Sequence, residues 1–371
     1  MKKLLLITAV SLAATSAFAS KARVQALQGA AHLVDTTDVT TRPDQATARG
    51  EYVTVEFGST AGSTSNAEGG FVRKAGDSAW GLYLGSISSI AKEQRDLGAS
   101  GLTLGVVAQE NPINLFYGTK ASDMTWGLGV LYSSSDKKSN TSKQNAMGLN
   151  GSMTMGALDA SLNLLLGNTA QKDNSGVTHK LTGATSAALH VGYWMESLYI
   201  HGDYNMGGVK AETGSTTLKD WEYNSMVLGV VDSVKKDAVD FFYGASYKMN
   251  TYKQKQGTST KAEFSMLPVI VGIEADAANW LTFRASITQN VLLGTNKNDT
   301  GATITNGSGS STATSGESDS IADNTTVAAG IGMKWNKFVV DGVITNAGNN
   351  GGQFGLDSAG FLSKLSMTYM F

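Results

Sequence analysis

Cysteine is absent from the 371 residues, which excludes a disulfide framework and any thiolate metal site. Histidine numbers four, and no closely spaced His and carboxylate set marks a metal centre. Proline numbers three, so few backbone positions are barred from a sheet ladder. Beyond residue 19 no stretch holds the 18 or more apolar residues of a spanning helix. The mean hydropathy of -0.11 lies below what a bundle of such helices gives. A basic surplus is also missing. The chain carries 29 Lys and Arg against 31 Asp and Glu, a net -2. Without the first 19 residues the balance is 27 against 31, or -4, and nothing in it favours a nucleic-acid partner.

What is present begins with a leader. Lys2 and Lys3 precede an apolar run from Leu4 to Ala14, and small residues stand at Ala17 and Ala19. This order of charge, apolar run and small-residue site reads as a secretory signal peptide over 1–19, cleaved before Ser20. An exported chain without spanning helices is either soluble in the periplasm or enters a membrane as a barrel.

Alternation of period two decides between them, because a lipid-facing barrel hides its apolar residues by facing every second one to a polar lumen. Phe361, Ser363, Leu365, Met367, Tyr369 and Phe371 share one face, opposite Leu362, Lys364, Ser366, Thr368 and Met370. Leu158, Ala160, Leu162, Leu164 and Leu166 oppose Asp159, Ser161, Asn163, Leu165 and Gly167. Similar runs occupy 144–155, 197–206, 281–288 and 327–335. Several reach the roughly 9–11 residues needed to cross a bilayer at a tilt.

The connections alternate as well. Short ones fall at 121–123, 156, 195–197, 233–237, 276–279 and 335–337, and longer polar ones at 134–143, 168–183, 207–219, 251–261, 294–323 and 346–357. Short periplasmic turns against long extracellular loops are the asymmetry of an outer-membrane barrel. The fold class is therefore all-β, a transmembrane antiparallel β-barrel over 51–371 with about 16 strands, 14 or 18 being the alternatives. The expected strands lie near 51–57, 78–87, 98–107, 112–120, 122–133, 144–155, 158–167, 184–195, 197–207, 220–232, 237–250, 262–275, 279–291, 324–335, 337–345 and 359–371. Pro268 falls inside one of them and predicts a bulge or a later strand start. Residues 20–50 alternate poorly and form an N-terminal segment, periplasmic or in contact with the lumen, with a short helix within 22–31. Ser89 to Leu97 reads as a short periplasmic helix. Trp80, Trp126, Trp194, Trp221, Trp280 and Trp335 stand near strand ends, either in interfacial belts or in ordinary packing.

Strand parity directs ten ionisable side chains inward as pore-lining candidates: Lys120, Asp159, His190, His201, Asp203, Lys248, Glu274, Arg284, Lys334 and Lys364. Five are Lys or Arg and three are carboxylates, a mixed wall with a slight tendency to repel cations. Interior charges also arise simply because lipid excludes them. His190, His201 and Asp203 neighbour one another across the turn at 195–197. As a polar lumen cluster they need no chemistry, and no nucleophile with a positioned base accompanies them. No catalytic residue, metal site or cofactor is assigned. Gly127 with Gly129, and Gly330 with Gly332, lie within alternating strands and leave room for lumen side chains or close packing.

The leader, the repeated strand pattern and the Met367 to Phe371 end (MTYMF) together resemble a porin-type outer-membrane protein. The stretches Arg23 to Gln28 (RVQALQ) and Pro112 to Gly118 (PINLFYG) resemble more narrowly the porin-like proteins of predatory Bdellovibrio-type bacteria. The resemblance implies a place in the outer membrane, in contact with its lipid and lipopolysaccharide. It implies passive diffusion of small polar solutes and ions, a homotrimer, and an assembly machinery that reads the last strand up to Phe371. The chain departs from the usual porin in showing no evident central loop that folds inward and no dense arginine ladder facing acidic groups. Two alternatives stand beside the porin: a fatty-acid or other hydrophobic-compound transport barrel, with residues 20–50 as a plug, and a structural or surface-interaction barrel with an occluded lumen.

Overall fold

The computed structural model describes residues 20–58, 67–99, 108–138, 141–174, 176–256, 260–291, 295–298, 304–306, 309–311, 318–320, 325–348 and 364–371. The leader expected over 1–19 lies outside them. The chain enters as a six-residue helix α1 (Lys21–Ala26), a single 3-10 turn (Asp38–Thr40) and a one-turn helix α2 (Gln45–Ala48). Sixteen barrel strands follow among the described residues, and a short hairpin (Ile304–Asn306 with Gly309–Ser311) stands apart from their sheet. The barrel strands are β1 (Tyr52–Gly58), β2 (Glu68–Ala75), β3 (Ser78–Leu84), β4 (Ile113–Ala121), β5 (Met124–Lys137), β6 (Ser142–Met155) and β7 (Leu158–Asn174). Next come β8 (Val177–Gly183 with Ser186–Met195), β9 (Leu198–Thr213), β10 (Thr216–Lys236) and β11 (Val239–Gln254). The last five are β12 (Thr260–Met266 with Pro268–Ala278), β13 (Leu281–Asn290 with Thr295–Asn298), β14 (Thr326–Trp335, extended by Ser318–Ser320), β15 (Phe338–Gly348) and β16 (Lys364–Met370). Every neighbouring pair is antiparallel, and β1 pairs with β16 from Tyr52 opposite Met370 to Gly58 opposite Lys364. The sheet is thereby closed and has no free edge.

Two faces explain why these residues form strands. Val130, Leu149 and Leu164 stand side by side on β5, β6 and β7, and Val130 and Leu149 are 45% and 44% exposed. Leu162, Leu189, Val191, Ile200, Leu228 and Val230 continue the exposed apolar surface round the wall. Such a belt is stable only against hydrocarbon. Trp80, Trp280 and Trp335 are exposed on it, and Trp126 meets the exposed Tyr117 edge to face. Trp194 and Trp221 do not belong to it. Trp221 is 4% exposed and packs in the lumen, and Trp194 lies against Tyr199 and His32.

The short turns share one rim. In six of them the first connecting residue, Gly76, Ser122, Gly156, Glu196, Asp237 or Asn336, takes the left-handed conformation that lets a tight hairpin follow the strand twist. At the other rim the sequence expectation needs correction. Residues 134–143, 168–183 and 207–219 are mostly ladder rather than loop, because β5, β7, β9 and β10 run to 14, 17, 16 and 21 residues. These strands exceed what a bilayer requires and project beyond it, and the inward faces of β7, β9 and β10 there are covered rather than wet, with Asn168, Val209 and Trp221 buried. Of 294–323 and 346–357, much lies outside the described residues. Pro268 does interrupt its strand: β12 breaks at Leu267.

Two further corrections concern the connection between β3 and β4. The strand expected at 98–107 is absent at its start, where Gly98 and Ala99 end a helix, and 100–107 lie outside the described residues. β2, at 68–75, takes its place in the count. The helix expected on the periplasmic side is α3 (Ser89–Ala99). It belongs to the connection between β3 and β4, on the rim opposite the short turns, and folds into the lumen against β7 to β10. An inward-folded loop is therefore present.

Candidate functional site: the lumen and its two inserts

The lumen holds the polar chemistry of the barrel, and two of the described segments enter it. The first is the N-terminal segment. Ser20 caps α1 by accepting from the Arg23 backbone N–H at 3.1 Å, and its hydroxyl donates to Asp341 Oδ2 at 2.7 Å. Arg23 donates to both Glu274 oxygens, at 2.7 and 3.0 Å. Arg284 donates to Glu274 at 2.5 Å and to Asp341 at 2.7 Å. Arg23, Glu274, Arg284, Asp341 and Ser20 thus form a ring of alternating partners joining α1 to β12, β13 and β15. Arg23, Arg284 and Asp341 are buried and Glu274 is half-buried, and each charge is offset by a neighbour of opposite sign, which burial requires.

The segment then crosses to the opposite wall. Asn150 donates to the Thr40 carbonyl at 2.6 Å, the Asp44 N–H donates to Ser152 Oγ at 2.9 Å, and Thr154 donates to Asp44 Oδ2 at 2.6 Å. Arg42 pairs with Asp159 at 2.9 Å. Two glycines make the fit possible. A Cβ at Gly127 would lie 2.4 Å from the Asp44 nitrogen, and one at Gly330 would lie 2.6 Å from Ala26 Cβ. These positions leave room for the inserted backbone and α1.

The second insert is α3. Gln94 donates to Ser186 Oγ at 2.6 Å and to the carbonyls of Ala184 and Gly208 at 2.7 and 2.9 Å. It meets the wall where β8 is interrupted, supplying a donor to the Ala184 carbonyl there and a second one to the Gly208 carbonyl, which also accepts from the Ala184 N–H at 2.9 Å. Arg95 donates to Asn168 and Gln144, each at 2.9 Å, and burial pushes its guanidinium down to about 10. Leu97 packs with Leu181, Val209, Trp221, Tyr223 and Tyr252. Tyr252 donates to Glu93 at 2.9 Å. Lys92 and Asp96 pair at 2.5 Å on the exposed face.

The ten candidates distribute unequally. Asp159, His190, His201 and Asp203 form one cluster: His190 Nδ1 lies 2.6 Å from Asp203, its Nε2 lies 3.1 Å from Asp159, and His201 Nδ1 lies 2.9 Å from Asp203. Tyr199 donates to Asp159 at 3.2 Å. Lys248 stands on the same rung as Asp203, with Val227 between them. Glu274 and Arg284 belong to the α1 ring on the far side. Lys120 and Lys334 are exposed beside the short turns, and Lys364 is half-buried at the other end of β16. Among the described residues no group of three or more His, Asp or Glu has a geometry that would hold a metal. Sequence reasoning missed Arg23, Arg42, Asp341, Gln94 and Arg95, whose partners lie in distant strands.

Space remains around the inserts. A cavity of about 650 Å³ lies between the N-terminal segment and the wall from β7 to β13, with Arg42, His190, Asp203 and Lys248 among its lining. A second, of about 250 Å³, lies between that segment, the start of α3 and the wall from β4 to β8.

No family model matches the chain, and no curated protein sequence does. Among solved structures, OmpT, an outer membrane protein of Vibrio cholerae, is 10% identical over 86% of this chain and 95% of its own, with a TM-score of 0.39. An anion-selective porin from Comamonas acidovorans is 16% identical over 76% and 96%, with a TM-score of 0.38. The CymD monoaromatic hydrocarbon channel is 12% identical over 96% and 98%, with a TM-score of 0.42. Likeness at these values carries no functional argument. The closed barrel, apolar outside and polar within, is by its own geometry that of an outer-membrane protein.

Proposed function

We propose that the protein is an outer-membrane diffusion channel for small polar solutes and ions, narrowed by its two inserts. The observation that carries this reading is the cavity of about 650 Å³ left inside the wall and lined by charges of both signs. Sixteen strands enclose more room than side chains fill. Here α3 and the N-terminal segment take up part of it and leave polar space beside them. The ten inward charges are read as the wall that orders water and ions, with the short turns periplasmic and the projecting hairpins external. The last strand presents Tyr369 and Phe371 outward, edge to face at 5.5 Å, as a surface for the assembly machinery.

The test is single-channel conductance in a planar bilayer, for the chain from Ser20 and for a variant starting at Glu51. The reading expects steps from both, larger in the shortened variant. Steps from the shortened variant alone would favour the structural barrel, its lumen held shut by the anchored segment. Silence from both, with folded and inserted protein, would remove the channel reading.

A further inference from the structure

The two cavities of the lumen lie side by side. They share four lining residues: Asp38 and Thr41 on the inserted segment, Asn163 and Ala188 on the wall. Asn163 of β7 pairs directly with Ala188 of β8 and, on its other side, with Asn150 of β6. These three residues therefore present one inward rung. The inserted segment is fixed against that rung, because Asn150 donates to the Thr40 carbonyl at 2.6 Å. The place where the two cavities meet, between the segment and Asn163, is thus held by a fixed contact and forms a waist.

The chemistry changes across it. The larger chamber carries Arg42, His190, Asp203 and Lys248. The smaller is lined chiefly by hydroxyl and amide groups such as Ser86, Thr40, Asn114 and Asn150, with Lys21 and Asp38 the charged residues among its described lining. At the junction the Asn163 carbonyl oxygen Oδ1 is buried without a hydrogen-bond partner. A buried acceptor without a partner calls for a donor, and a solute hydroxyl that enters the waist would supply one. A solute that leaves the charged chamber must exchange hydration for amides and hydroxyls, and net charge gains it little.

We infer that the solute path leaves the barrel axis and runs through this waist, with Asn163 as its selectivity-determining residue, and that it favours small uncharged polyhydroxylated solutes over ions of either sign. The inference rests on the diffusion-channel reading and names the solute class of that channel.

The chain has no cysteine, so Asn163→Cys gives a single reporter thiol. Purified protein reconstituted in a planar bilayer is treated with methanethiosulfonate reagents of positive and negative charge, and modification is checked by mass. The expected result is a conductance step lowered at least twofold by either reagent, with the reversal potential under a salt gradient moved in opposite directions by the two. Leu162→Cys, on the lipid face and 43% exposed, leaves both readouts unchanged. In liposome-swelling assays with erythritol, Asn163→Leu slows uptake severalfold while ion conductance changes less than twofold. A conducting Asn163→Cys channel whose thiol is modified without effect, or is reached only after unfolding, overturns the waist. Erythritol uptake unchanged by Asn163→Leu overturns the solute class. A folded wild-type protein that never conducts overturns the channel reading itself, and the waist with it.

Discussion

Arg42 of the inserted segment lies 2.9 Å from Asp159 of β7, and through Asp159 it joins the cluster of His190, Tyr199 and Asp203. One ion pair thus ties the segment to a polar network that spans three wall strands. The Arg42 and Asp159 side chains are 14% and 7% exposed, so the pair is screened little by solvent.

Arg42→Ala is expected to loosen this end of the segment. Removing one member of a buried pair costs about 3–5 kcal/mol because the other charge stays behind. In single-channel records the variant should show added transitions to a wider level, with the barrel's thermal unfolding shifted little. Asp159→Asn alone should give a smaller change, since an amide still accepts from Arg42. If the two variants leave the records identical to wild type, the pair does not anchor the segment.

The barrel was legible in the sequence because lipid and lumen impose opposite demands on successive residues. Where that contrast fails, so does the reading. β2 carries Gly69, Gly70, Arg73 and Lys74, and its alternation is lost among them. Beyond the membrane the outward faces of β7 and β9 meet water while their inward faces pack on α3 through a mixed set, Asn168, Ala170, Val209 and Ala211, so 168–174 and 207–213 look like loop although they remain ladder. The meeting of His190, His201 and Asp203 follows from a two-residue turn and can be read from spacing. Arg23 with Glu274 is 251 residues apart in sequence, and a six-residue helix leaves no amphipathic signature long enough to show which face docks. α3 was visible as a helix, but its direction into the lumen depends on Gln94 and Arg95 finding partners in four strands.

Leu97 anchors α3 beside Trp221. Leu97→Ala removes a fully buried side chain, and such truncations cost about 2–5 kcal/mol. The helix should leave the wall part of the time, exposing Trp221 to the lumen water. Red-shifted tryptophan emission and easier quenching by iodide would report it, best in a background where the other five tryptophans are phenylalanine. An unchanged spectrum would mean that the hydrogen bonds of Gln94 and Arg95 hold α3 without Leu97.

The glycines facing the inserts supply a test that leaves the lipid face alone. Gly330→Val would place a Cβ 2.6 Å from Ala26 Cβ, and overpacking of this kind costs about 1–3 kcal/mol. α1 must shift away from β14, so limited proteolysis should cut between Ala22 and Ala31 faster than in wild type. Gly156→Ala, at a turn with open space round the glycine, should leave that cleavage unchanged while straining only its own left-handed turn.

The inserted segment also carries two groups whose titration opposes. Burial pushes the Asp38 carboxyl up to about 7, the Asp35 charge adding to this and Arg49 opposing it. Burial pushes the His32 imidazole down to about 4, with Arg23 adding and Glu274 opposing. The docked segment therefore binds the Asp38 proton more tightly than the released one, and this contribution to docking is full in acid and lost as pH rises through about 7. It binds the His32 proton less tightly, so that contribution is full above the ordinary imidazole value and lost as pH falls toward 4. Between these limits the two trends offset, and docking in the wild type should change little with pH. Single replacements separate them. Asp38→Asn should leave a segment that loosens on acidification, and His32→Leu one that loosens as pH rises toward 7, each by on the order of 2–4 kcal/mol. Ala46, fully buried where the segment docks, becomes the reporter as Ala46→Cys, its labelling rate normalised at each pH to the urea-unfolded chain. Opposite slopes in the two variants would establish the compensation. Equal slopes would mean that neither group sets how tightly the segment is held.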